Sequence, residues 1–387
     1  MKRSKNGNLA KLVAFFVIVI IIICSVSFMA SGWQLYVTKD QNSGDVAGND
    51  PSSDQADENK DPSHNETGDG DDELQNGDES DVPVINPVPE YLHYISGNQI
   101  TEEQSKIRPL AFVMNTAYPA YGLSSSYLTV EIPTEGGKTR FLAFTDSAES
   151  LGKIGSLSET RKYISDVAAA FGGILVSIGN DDSYEYSTGA VISPELLDLD
   201  ARSGYYYTEY SEYAYTNGTL VKALLQDSSV STDIISKPTV PYDFVDFYAE
   251  RLSPSSQARE ISISFASGNS TGFLFDDSTG RYLMSKNSSA VKDLLNDTVC
   301  SYDNLFILFA DCTTVETADM TESVFYTMAG GKGYYATEGG YMEILWTTDK
   351  SGQLVFVNHD GERLTVNRGS SYVAFTKSSA PSAIIFK

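Results

Sequence analysis

The alternation of apolar and polar positions divides the chain into three regions. Residues 12–30 carry no charged side chain, residues 31–90 become acidic and poor in apolar side chains, and from Tyr91 short apolar runs alternate with turn residues. An apolar helix of 19 residues extends about 28 Å, close to the thickness of the hydrocarbon layer of a membrane. The pattern therefore predicts a transmembrane helix at 12–30, a linker at 31–90 and a folded region after it.

The charges around the apolar helix predict its orientation. Residues 1–11 are basic and acidic residues follow the helix, so the positive-inside rule places the N-terminus in the cytoplasm and the folded region outside the cell membrane. Two other routes stay open, cleavage of a signal peptide near Ala30 and lipid attachment at Cys24. Ile23 is large for the residue before a lipidated cysteine, and the apolar run is longer than a usual signal-peptide core. We therefore expect a retained single-pass signal-anchor.

The linker is expected to be disordered. Between residues 40 and 90 it carries 16 acidic residues against the single Lys60, and a segment this charged, with so few apolar side chains, does not form a packed core. The acidic cluster at 69–73 lacks the regular spacing of a calcium-binding loop, so it is interpreted as a solvated spacer.

Short apolar runs in residues 91–235 predict a domain with a mixed sheet. Strands are expected at Leu110–Met114, Tyr127–Ile132 and Thr139–Thr145, and the glycine pair after Glu135 predicts a hairpin between the last two strands. The region is thus expected to begin with β-structure.

A helix and another strand are predicted next in this domain. Apolar residues recur at three- and four-residue spacing up to Phe171, with Ser156 or Ser158 as the expected N-cap and a glycine pair at the expected end. Ile174–Ile178 then predicts a strand. A strand, helix, strand order indicates a parallel pair with the helix crossing one face of the sheet.

Residues 236–387 predict a second domain of mostly antiparallel β-structure. The pair Asp360–Gly361, between Val355–Val357 and Leu364–Val366, predicts a hairpin. A tyrosine-rich stretch at 205–215 is either an aromatic platform for sugars or a half-buried sheet edge. The expected fold class is mixed α/β and β-rich: an N-terminal mixed sheet with a crossover helix, then a mostly antiparallel β domain, behind a single N-terminal transmembrane helix.

Charge and composition exclude several classes of protein. The chain has 52 acidic residues against 27 lysines and arginines, a net charge of −25, which argues against nucleic-acid binding. Three histidines and three cysteines in 387 residues argue against a zinc site and a disulfide scaffold. No metal site and no cofactor is predicted. Cys300 and Cys312, the cysteines outside the apolar helix, are equally well interpreted as a disulfide or as free thiols.

A series of motifs runs through the folded region. They are Arg108–Asn115, Glu131, Glu135–Phe144, Ile154–Arg161, Gly331–Tyr334, Trp346, Asp360–Gly361 and Asn367–Gly369. Their order resembles the YerB-like putative lipoprotein family of Gram-positive bacteria, which is built from two adjoining extracytoplasmic domains of unknown function. The resemblance covers roughly residues 91–377. It implies an extracytoplasmic, membrane-attached α/β protein of the cell envelope, and the family has no established activity.

The chain departs from the family pattern at three places. Ile23 precedes the cysteine at which family members tend to be lipidated. Ser158 stands where the family often has an arginine before the one matching Arg161, and residues 289–291 lack the histidine that often precedes the aspartate matching Asp293. Any role of those groups in the family is therefore not carried over to this chain.

Six polar residues near the first predicted sheet are candidate ligand-binding residues. They are Arg108, Asn115, Glu131, Glu135, Arg140 and Arg161. Glu131 and Glu135 would share one face of an unbroken strand and could act as an acid and a base, although Pro133 lies between them. Arg140 could instead bind an anionic group through its planar guanidinium. A third interpretation is structural, with Glu135 and Arg140 as a cross-strand ion pair completed by Arg161.

The sequence favours a non-catalytic ligand-binding or envelope-assembly module. No catalytic residue is predicted, because no nucleophile has a partner at a recognisable spacing and a Ser-His or Cys-His arrangement would depend on His93 alone. The alternative is a cell-envelope hydrolase or transferase that uses the carboxylate pair or His93. The expected partners are the membrane, through the N-terminal helix, and a cell-wall ligand or an envelope protein.

Overall fold

The computed structural model covers the folded region of the chain. It describes residues 87–117, 120–146, 151–179, 196–209, 213–234, 239–316, 322–380 and 383–387. The predicted transmembrane helix and nearly all of the linker lie outside these residues, so both stay predictions. Within the described ranges, no helix is long and apolar enough to cross a membrane. Residues 88–387 form one compact unit.

The first half of this unit contains both α-helices of the described residues, α1 at Lys162–Ala170 and α2 at Gly218–Asp227. Its strands are β1 Leu110–Asn115, β2 Leu128–Pro133, β3 Thr139–Thr145, β4 Ile154–Leu157, β5 Ile174–Ser177, β6 Leu196–Asp198, β7 Tyr207–Glu209, β8 Tyr213–Thr216 and β9 Asp243–Phe244. Single 3-10 turns lie at Gln104–Lys106, Leu123–Ser125 and Glu135–Gly137.

The second half consists of strands. They are β10 Ser256–Gln257, β11 Glu260–Ala266, β12 Asn269–Asp276, β13 Arg281–Lys286, β14 Ser289–Ala290, β15 Lys292–Asp293, β16 Thr298–Val299, β17 Ser301–Tyr302, β18 Asn304–Glu316, β19 Glu322–Thr327, β20 Gly330–Thr337, β21 Gly340–Thr348, β22 Leu354–Val357, β23 Thr365–Val366, β24 Ser371–Lys377 and β25 Ile384–Phe386. The β-rich mixed fold class predicted from the sequence is confirmed.

One large mixed sheet runs through both halves. Its strand order is β10-β21-β20-β18-β24-β2-β3-β1-β4-β8-β7, with β5 and β6 branching from β1. Strand β24, near the C-terminus, lies parallel to both β18 and β2 and so joins the two halves. A second, antiparallel sheet has the order β14-β13-β12-β11-β25. The halves therefore share hydrogen bonds along whole strands.

Strand alternation gives the large sheet two apolar faces. On one face, Phe112 packs with Ile261 and Phe273 of the second sheet. On the other face, Val113 and Leu142 pack in a core that also contains side chains of helix α1. Because successive side chains of a strand point to opposite faces, each strand in the middle of the sheet contributes to both cores.

The local predictions for the first half are largely confirmed. Strand β3 has the predicted bounds, and it pairs antiparallel with β2 across the turn that contains the glycine pair. Strand β5 is parallel to β1, as the strand, helix, strand order predicts. Helix α1 ends at Ala170 with Phe171 as its C-cap, and Gly172 follows with φ +70°, a backbone conformation that favours glycine.

One local prediction is wrong, and a second is confirmed only next to its turn. The N-cap of α1 is Arg161 rather than Ser156 or Ser158. Ser156 lies within β4, and the N–H and carbonyl of Ser158 bond to Val113 and Ile178, because these residues extend the sheet instead of starting the helix. The predicted C-terminal hairpin forms at its turn. Asn358 donates to Glu362 at 2.8 Å, Leu364 donates to Phe356 at 2.9 Å, and Val357 and Arg363 form an antiparallel bridge. Beyond the turn, β22 pairs with β21 and β23 pairs with β9.

The tyrosine-rich stretch lies at the edge of the large sheet. Tyr207 and Tyr215 are on the paired strands β7 and β8, and the described tyrosines of this stretch are half-buried or buried. The ammonium of Lys153 is 4.0 Å from the ring centres of both Tyr121 and Tyr215, and it is paired with Glu209. These rings enclose a side chain of the protein itself.

The two described cysteines are free thiols, and their reactivities are expected to differ. Cys300 is buried, and burial raises the pKa of its thiol to about 12, whereas Cys312 is partly exposed. Because the thiolate is the reactive form, we expect an alkylating reagent to modify Cys312 in the native protein and Cys300 only after unfolding. Mass spectrometry of peptides from native and denatured samples measures this. Equal labelling of both cysteines before unfolding would contradict it.

Candidate functional site

The candidate residues predicted from the sequence lie on opposite faces of the large sheet. Glu131, on β2, points toward the second sheet, where it bonds Thr271 of β12 and Lys286 of β13. Arg140, on β3, points toward the side of helix α1, where it contacts Glu159. The six residues therefore do not form one site.

Glu131 belongs to a buried cluster that is fully hydrogen-bonded. Its carboxylate is 0% exposed and accepts hydrogen bonds from the hydroxyls of Thr139 at 2.6 Å, Thr271 at 2.7 Å, and Tyr372. Lys286 forms an ion pair with it and also donates to Thr271 at 3.0 Å. A carboxylate with this many partners is held by the fold. We interpret this cluster as structural.

Tyr372 gives an electrostatic indication of how closed this cluster is. Burial, and then the neighbouring charge of Glu131, raise the pKa of the Tyr372 hydroxyl well above its ordinary value. The hydroxyl therefore stays protonated and donates a hydrogen bond to the carboxylate of Glu131. A permanent donor of this kind fixes the position of Glu131 instead of leaving it available to a substrate.

The other face carries a polar row at the end of β1. Arg140 on β3 is directly opposite Asn115 on β1. Met114 is opposite Leu157 of β4, so the antiparallel register places Ser156 next to Asn115. The row Arg140, Asn115 and Ser156 thus crosses three adjacent strands.

Two atoms of this row are buried without a hydrogen-bond partner among the described residues. They are Nε of Arg140, in a residue that is 8% exposed, and Oγ of Ser156, in a residue that is 1% exposed. Most buried polar atoms in folded proteins have a partner, and leaving one unpaired costs about 1–3 kcal/mol. Nε of Arg140 and Oγ of Ser156 are two of ten such side-chain atoms among the described residues, and a ligand bound at this row would supply partners for both.

A second arginine and two glutamates lie beside Arg140 of this row. Arg161 donates to Glu135 from Nε at 3.1 Å and from Nη2 at 3.0 Å. Glu159 lies between the arginines, with its Oε1 3.4 Å from Nη2 of Arg140 and 3.0 Å from Nη2 of Arg161. The Glu159 side chain is 48% exposed, which makes it the most accessible member of this cluster.

Electrostatics keep both arginines charged. Burial lowers the pKa of Arg140, the charge of Glu159 opposes this shift, and the positive charge of Arg161 adds to it. Burial also acts to lower the pKa of Arg161, but the hydrogen bonds and charges of Glu135 and then Glu159 outweigh it, and the net pKa is raised. Arginine remains protonated in either case. The cluster thus offers two fixed positive charges.

The start of helix α1 adds further donors beside the arginines. Arg161 is its N-cap and makes no side-chain capping hydrogen bond. The first N–H groups of a helix have no acceptor within the helix, and they carry the positive end of its dipole. The row is also at the carboxyl end of β1 and of its parallel neighbour β5, the edge of an α/β sheet at which ligands commonly bind.

The remaining predicted residues are placed elsewhere. Arg108 precedes β1 and donates to the carbonyls of Gly172 and Ser231, at 3.2 and 2.9 Å. It is seven residues from Asn115, about 23 Å along a strand. Glu131 and Glu135 do not share a face, since Glu135 belongs to the turn after Pro133 and pairs with Arg161. The acid and base pair is therefore not formed.

His93 has a serine and an aspartate as neighbours, but the group is closed. Its Nδ1 accepts the N–H of Ser96 at 3.1 Å and is 3.1 Å from the hydroxyl of that serine, and its Nε2 is 3.1 Å from Asp146. His93 and Ser96 are each 3% exposed. The imidazole accepts the N–H of Ser96 and stabilises the turn at 93–97. His93 also borders a cavity of about 340 Å³, which Ser96 does not line.

A separate cavity of about 710 Å³ lies on strands β18, β20 and β21. Among the residues that line it are Phe309, Lys332, Tyr334, Glu343, Leu345 and His359. None of the six candidate residues contributes to it.

Comparisons with known proteins agree with the sequence motifs. Residues 95–231 match the family described as "Protein of unknown function (DUF3048) N-terminal domain", and residues 261–373 match its C-terminal domain. The chain belongs to this family. It is 22% identical over 290 residues to "Putative lipoprotein YerB" of Bacillus subtilis (strain 168), an alignment that spans 72% of this chain and 84% of that protein.

A solved structure has the same fold as this chain. The crystal structure of the YerB protein from Bacillus subtilis aligns with a TM-score of 0.66 at 19% identity, and the alignment covers 77% of this chain and 100% of that one. The match supports the arrangement of the sheets. The predicted resemblance to YerB-like proteins is thus confirmed.

Sequence reasoning missed several residues of the two clusters, among them Glu159, Ser156 and Lys286. Glu159 and Ser156 fall in the segment that was assigned to the start of the helix, so neither was a candidate. Lys286 is 155 residues away from Glu131. A lysine at the end of a short strand has no local feature that predicts burial. The signal for Glu159 was its place two residues before Arg161.

Proposed function

We propose that this family member is a non-catalytic, membrane-attached module of the cell envelope that binds an oxyanion between Arg140 and Arg161. The observation that carries the proposal is the buried guanidinium of Arg140 at the carboxyl end of β1, whose Nε has no hydrogen-bond partner among the described residues. The attachment and the extracytoplasmic position are supported by the apolar run 12–30 and by the lipoprotein name of the Bacillus relative.

An oxyanion fits the donors that converge here. Guanidinium groups bind carboxylate and phosphate oxygens through short, charge-assisted hydrogen bonds. The amide of Asn115 is half-buried between Arg140 and the position of Ser156, and the start of helix α1 favours negative charge. Together these groups would orient one phosphate or carboxylate of an envelope component.

Binding without catalysis agrees better with these contacts than hydrolysis does. Glu131 is held by four partners on the other face of the sheet, and Glu135 is bound to Arg161 and to the N–H of Val324. Both carboxylates are thus bound by groups of the protein itself. We therefore propose no general acid or base.

A thermal-shift titration of soluble protein spanning residues 88–387 tests the proposal. The ligands are pyrophosphate, glycerol phosphate and N-acetylmuramic acid, at matched ionic strength. A ligand at 100 times its dissociation constant should stabilise the protein by about 2.7 kcal/mol. We expect at least one ligand to raise the melting temperature of the native sequence, and Arg140→Gln to abolish that rise. No rise with any of the three would contradict the proposal.

Two further variants separate binding from folding. Ser156→Ala removes a buried hydroxyl that has no hydrogen-bond partner among the described residues. It should leave the free energy of unfolding unchanged or slightly higher while weakening anion binding. Arg259→Gln removes an exposed arginine that is paired with Asp277, and it should leave the ligand-induced shift unchanged. A shift that survives in Arg140→Gln but is lost in Arg259→Gln would place the anion elsewhere.

A further inference from the structure

Glu159 occupies the position that an anion would take between the two arginines. One of its carboxylate oxygens reaches Nη2 of both Arg140 and Arg161. Its side chain is 48% exposed, whereas those of the arginines are 10% and 11% exposed. No other hydrogen bond of the Glu159 carboxylate is present among the described residues. It can therefore leave the site by rotation of its side chain.

Resting on the proposed oxyanion site, we propose that Glu159 is an internal competitor for the ligand and makes the site selective for a doubly charged phosphoryl group. Among the described residues, the charges of Arg140 and Arg161 are balanced by those of Glu135 and Glu159. A ligand carboxylate that displaces Glu159 exchanges one negative charge for another. A phosphate monoester or pyrophosphate brings more charge and more acceptor oxygens to the same donors.

Glu135 cannot take the same part. It receives two hydrogen bonds from Arg161, and its other oxygen accepts the N–H of Val324 at 3.2 Å. Its side chain is 24% exposed, half the exposure of Glu159. Glu135 thus holds Arg161 in place when Glu159 is displaced by the ligand. The two glutamates differ in role although both contact Arg161.

If Glu159 competes with the ligand, then removing its charge should increase the affinity of the site for the ligand. Glu159→Gln keeps the size of the side chain and removes the negative charge, and we expect the affinity for pyrophosphate, measured by isothermal titration calorimetry, to rise about tenfold. Glu159→Asp keeps the charge on a shorter side chain and should give a smaller gain. In the native sequence, pyrophosphate should bind at least about tenfold more tightly than acetate.

A matched variant controls for the overall charge of the protein. Glu209→Gln removes an equally charged side chain, 38% exposed and paired with Lys153, that does not contact Arg140 or Arg161. It should leave the affinity for pyrophosphate unchanged. A gain in Glu209→Gln equal to that in Glu159→Gln would show a general charge effect and overturn the inference.

The remaining outcomes distinguish the inference from the proposed function. If the native sequence binds pyrophosphate and Glu159→Gln binds it equally well, then Glu159 does not compete and only this inference fails. If acetate binds as tightly as pyrophosphate, the selectivity fails. If neither the native sequence nor Glu159→Gln binds any anion, the oxyanion site itself is wrong and both proposals fall. Thermal unfolding of each variant without ligand confirms that it is folded.

Discussion

Lys286→Met is expected to lower the free energy of unfolding by about 3–5 kcal/mol, because it leaves the carboxylate of Glu131 buried without its counter-ion. Glu131 is 0% exposed, and the Lys286 side chain is 12% exposed. The three hydroxyls that remain do not neutralise the charge. Urea denaturation of the native and variant proteins, followed by tryptophan fluorescence, measures the difference.

Two companion variants make this prediction specific to the buried pair. Lys292→Met makes the same substitution at an exposed lysine paired with Asp297, and it should change stability by no more than about 0.5 kcal/mol. Adding Glu131→Gln to Lys286→Met removes the unpaired charge and keeps an acceptor for the hydroxyls. The double variant should therefore be more stable than Lys286→Met alone. A loss from Lys286→Met no larger than that from Lys292→Met would show that the cluster does not hold the sheets together.

Asp293→Ala is expected to cost about 3–5 kcal/mol, since each buried donor left without an acceptor costs about 1–3 kcal/mol. The Asp293 carboxylate is 0% exposed and accepts the N–H groups of Gly122 at 3.0 Å, Ser124 at 2.9 Å and Leu295 at 3.0 Å. It also accepts the hydroxyl of Ser124 at 2.7 Å. These bonds connect the two halves of the chain. Urea denaturation again provides the measurement.

An exposed aspartate provides the matched comparison for Asp293. Asp277→Ala removes a side chain that is 73% exposed, so it should change stability by no more than about 0.5 kcal/mol. Asp293→Asn keeps one acceptor oxygen and should fall between Asp293→Ala and the native sequence. Equal stability of Asp293→Ala and Asp277→Ala would mean that the loop at 122–124 is held by other contacts.

Local structure in the first half could be predicted because neighbouring residues determine it. The bounds of β3, the turn at the glycine pair and the end of α1 each depend on a few consecutive residues. The predicted N-cap of α1 is wrong because Ser156, a good N-cap in isolation, belongs to β4, which pairs with other strands. Tertiary pairing overrides a local preference in such cases.

The long-range arrangement could not be predicted from one sequence. Strand β24 lies between β18 and β2, and nothing in its residues indicates which strands it joins. For the same reason the sequence grouped Glu131 with Arg140, although adjacent strands carry them on opposite faces. Of the six candidates, the structure brings Asn115, Glu135, Arg140 and Arg161 together and separates Glu131 and Arg108 from them. The anion-binding interpretation of Arg140 stays a proposal, now with named neighbours.

The position of Glu159 explains why the sequence left the function open. Among the described residues, the carboxylates of Glu135 and Glu159 balance the charges of the two arginines, so the amino-acid composition does not indicate a charged site. The buried cluster at Glu131 and Lys286 adds a second ionic group that serves the fold. The two clusters thus contain the same kinds of charged residue but have different roles. Only the exposure of the side chains and the identity of their partners distinguish the two roles.

The most direct test of the central claim is anomalous diffraction from crystals of residues 88–387 soaked with selenate, a doubly charged tetrahedral oxyanion. We expect an anomalous peak within hydrogen-bonding distance of the guanidinium groups of Arg140 and Arg161, with the carboxylate of Glu159 turned away from both. An empty site with Glu159 still between the two arginines, at a selenate concentration that produces peaks elsewhere in the crystal, would contradict the account.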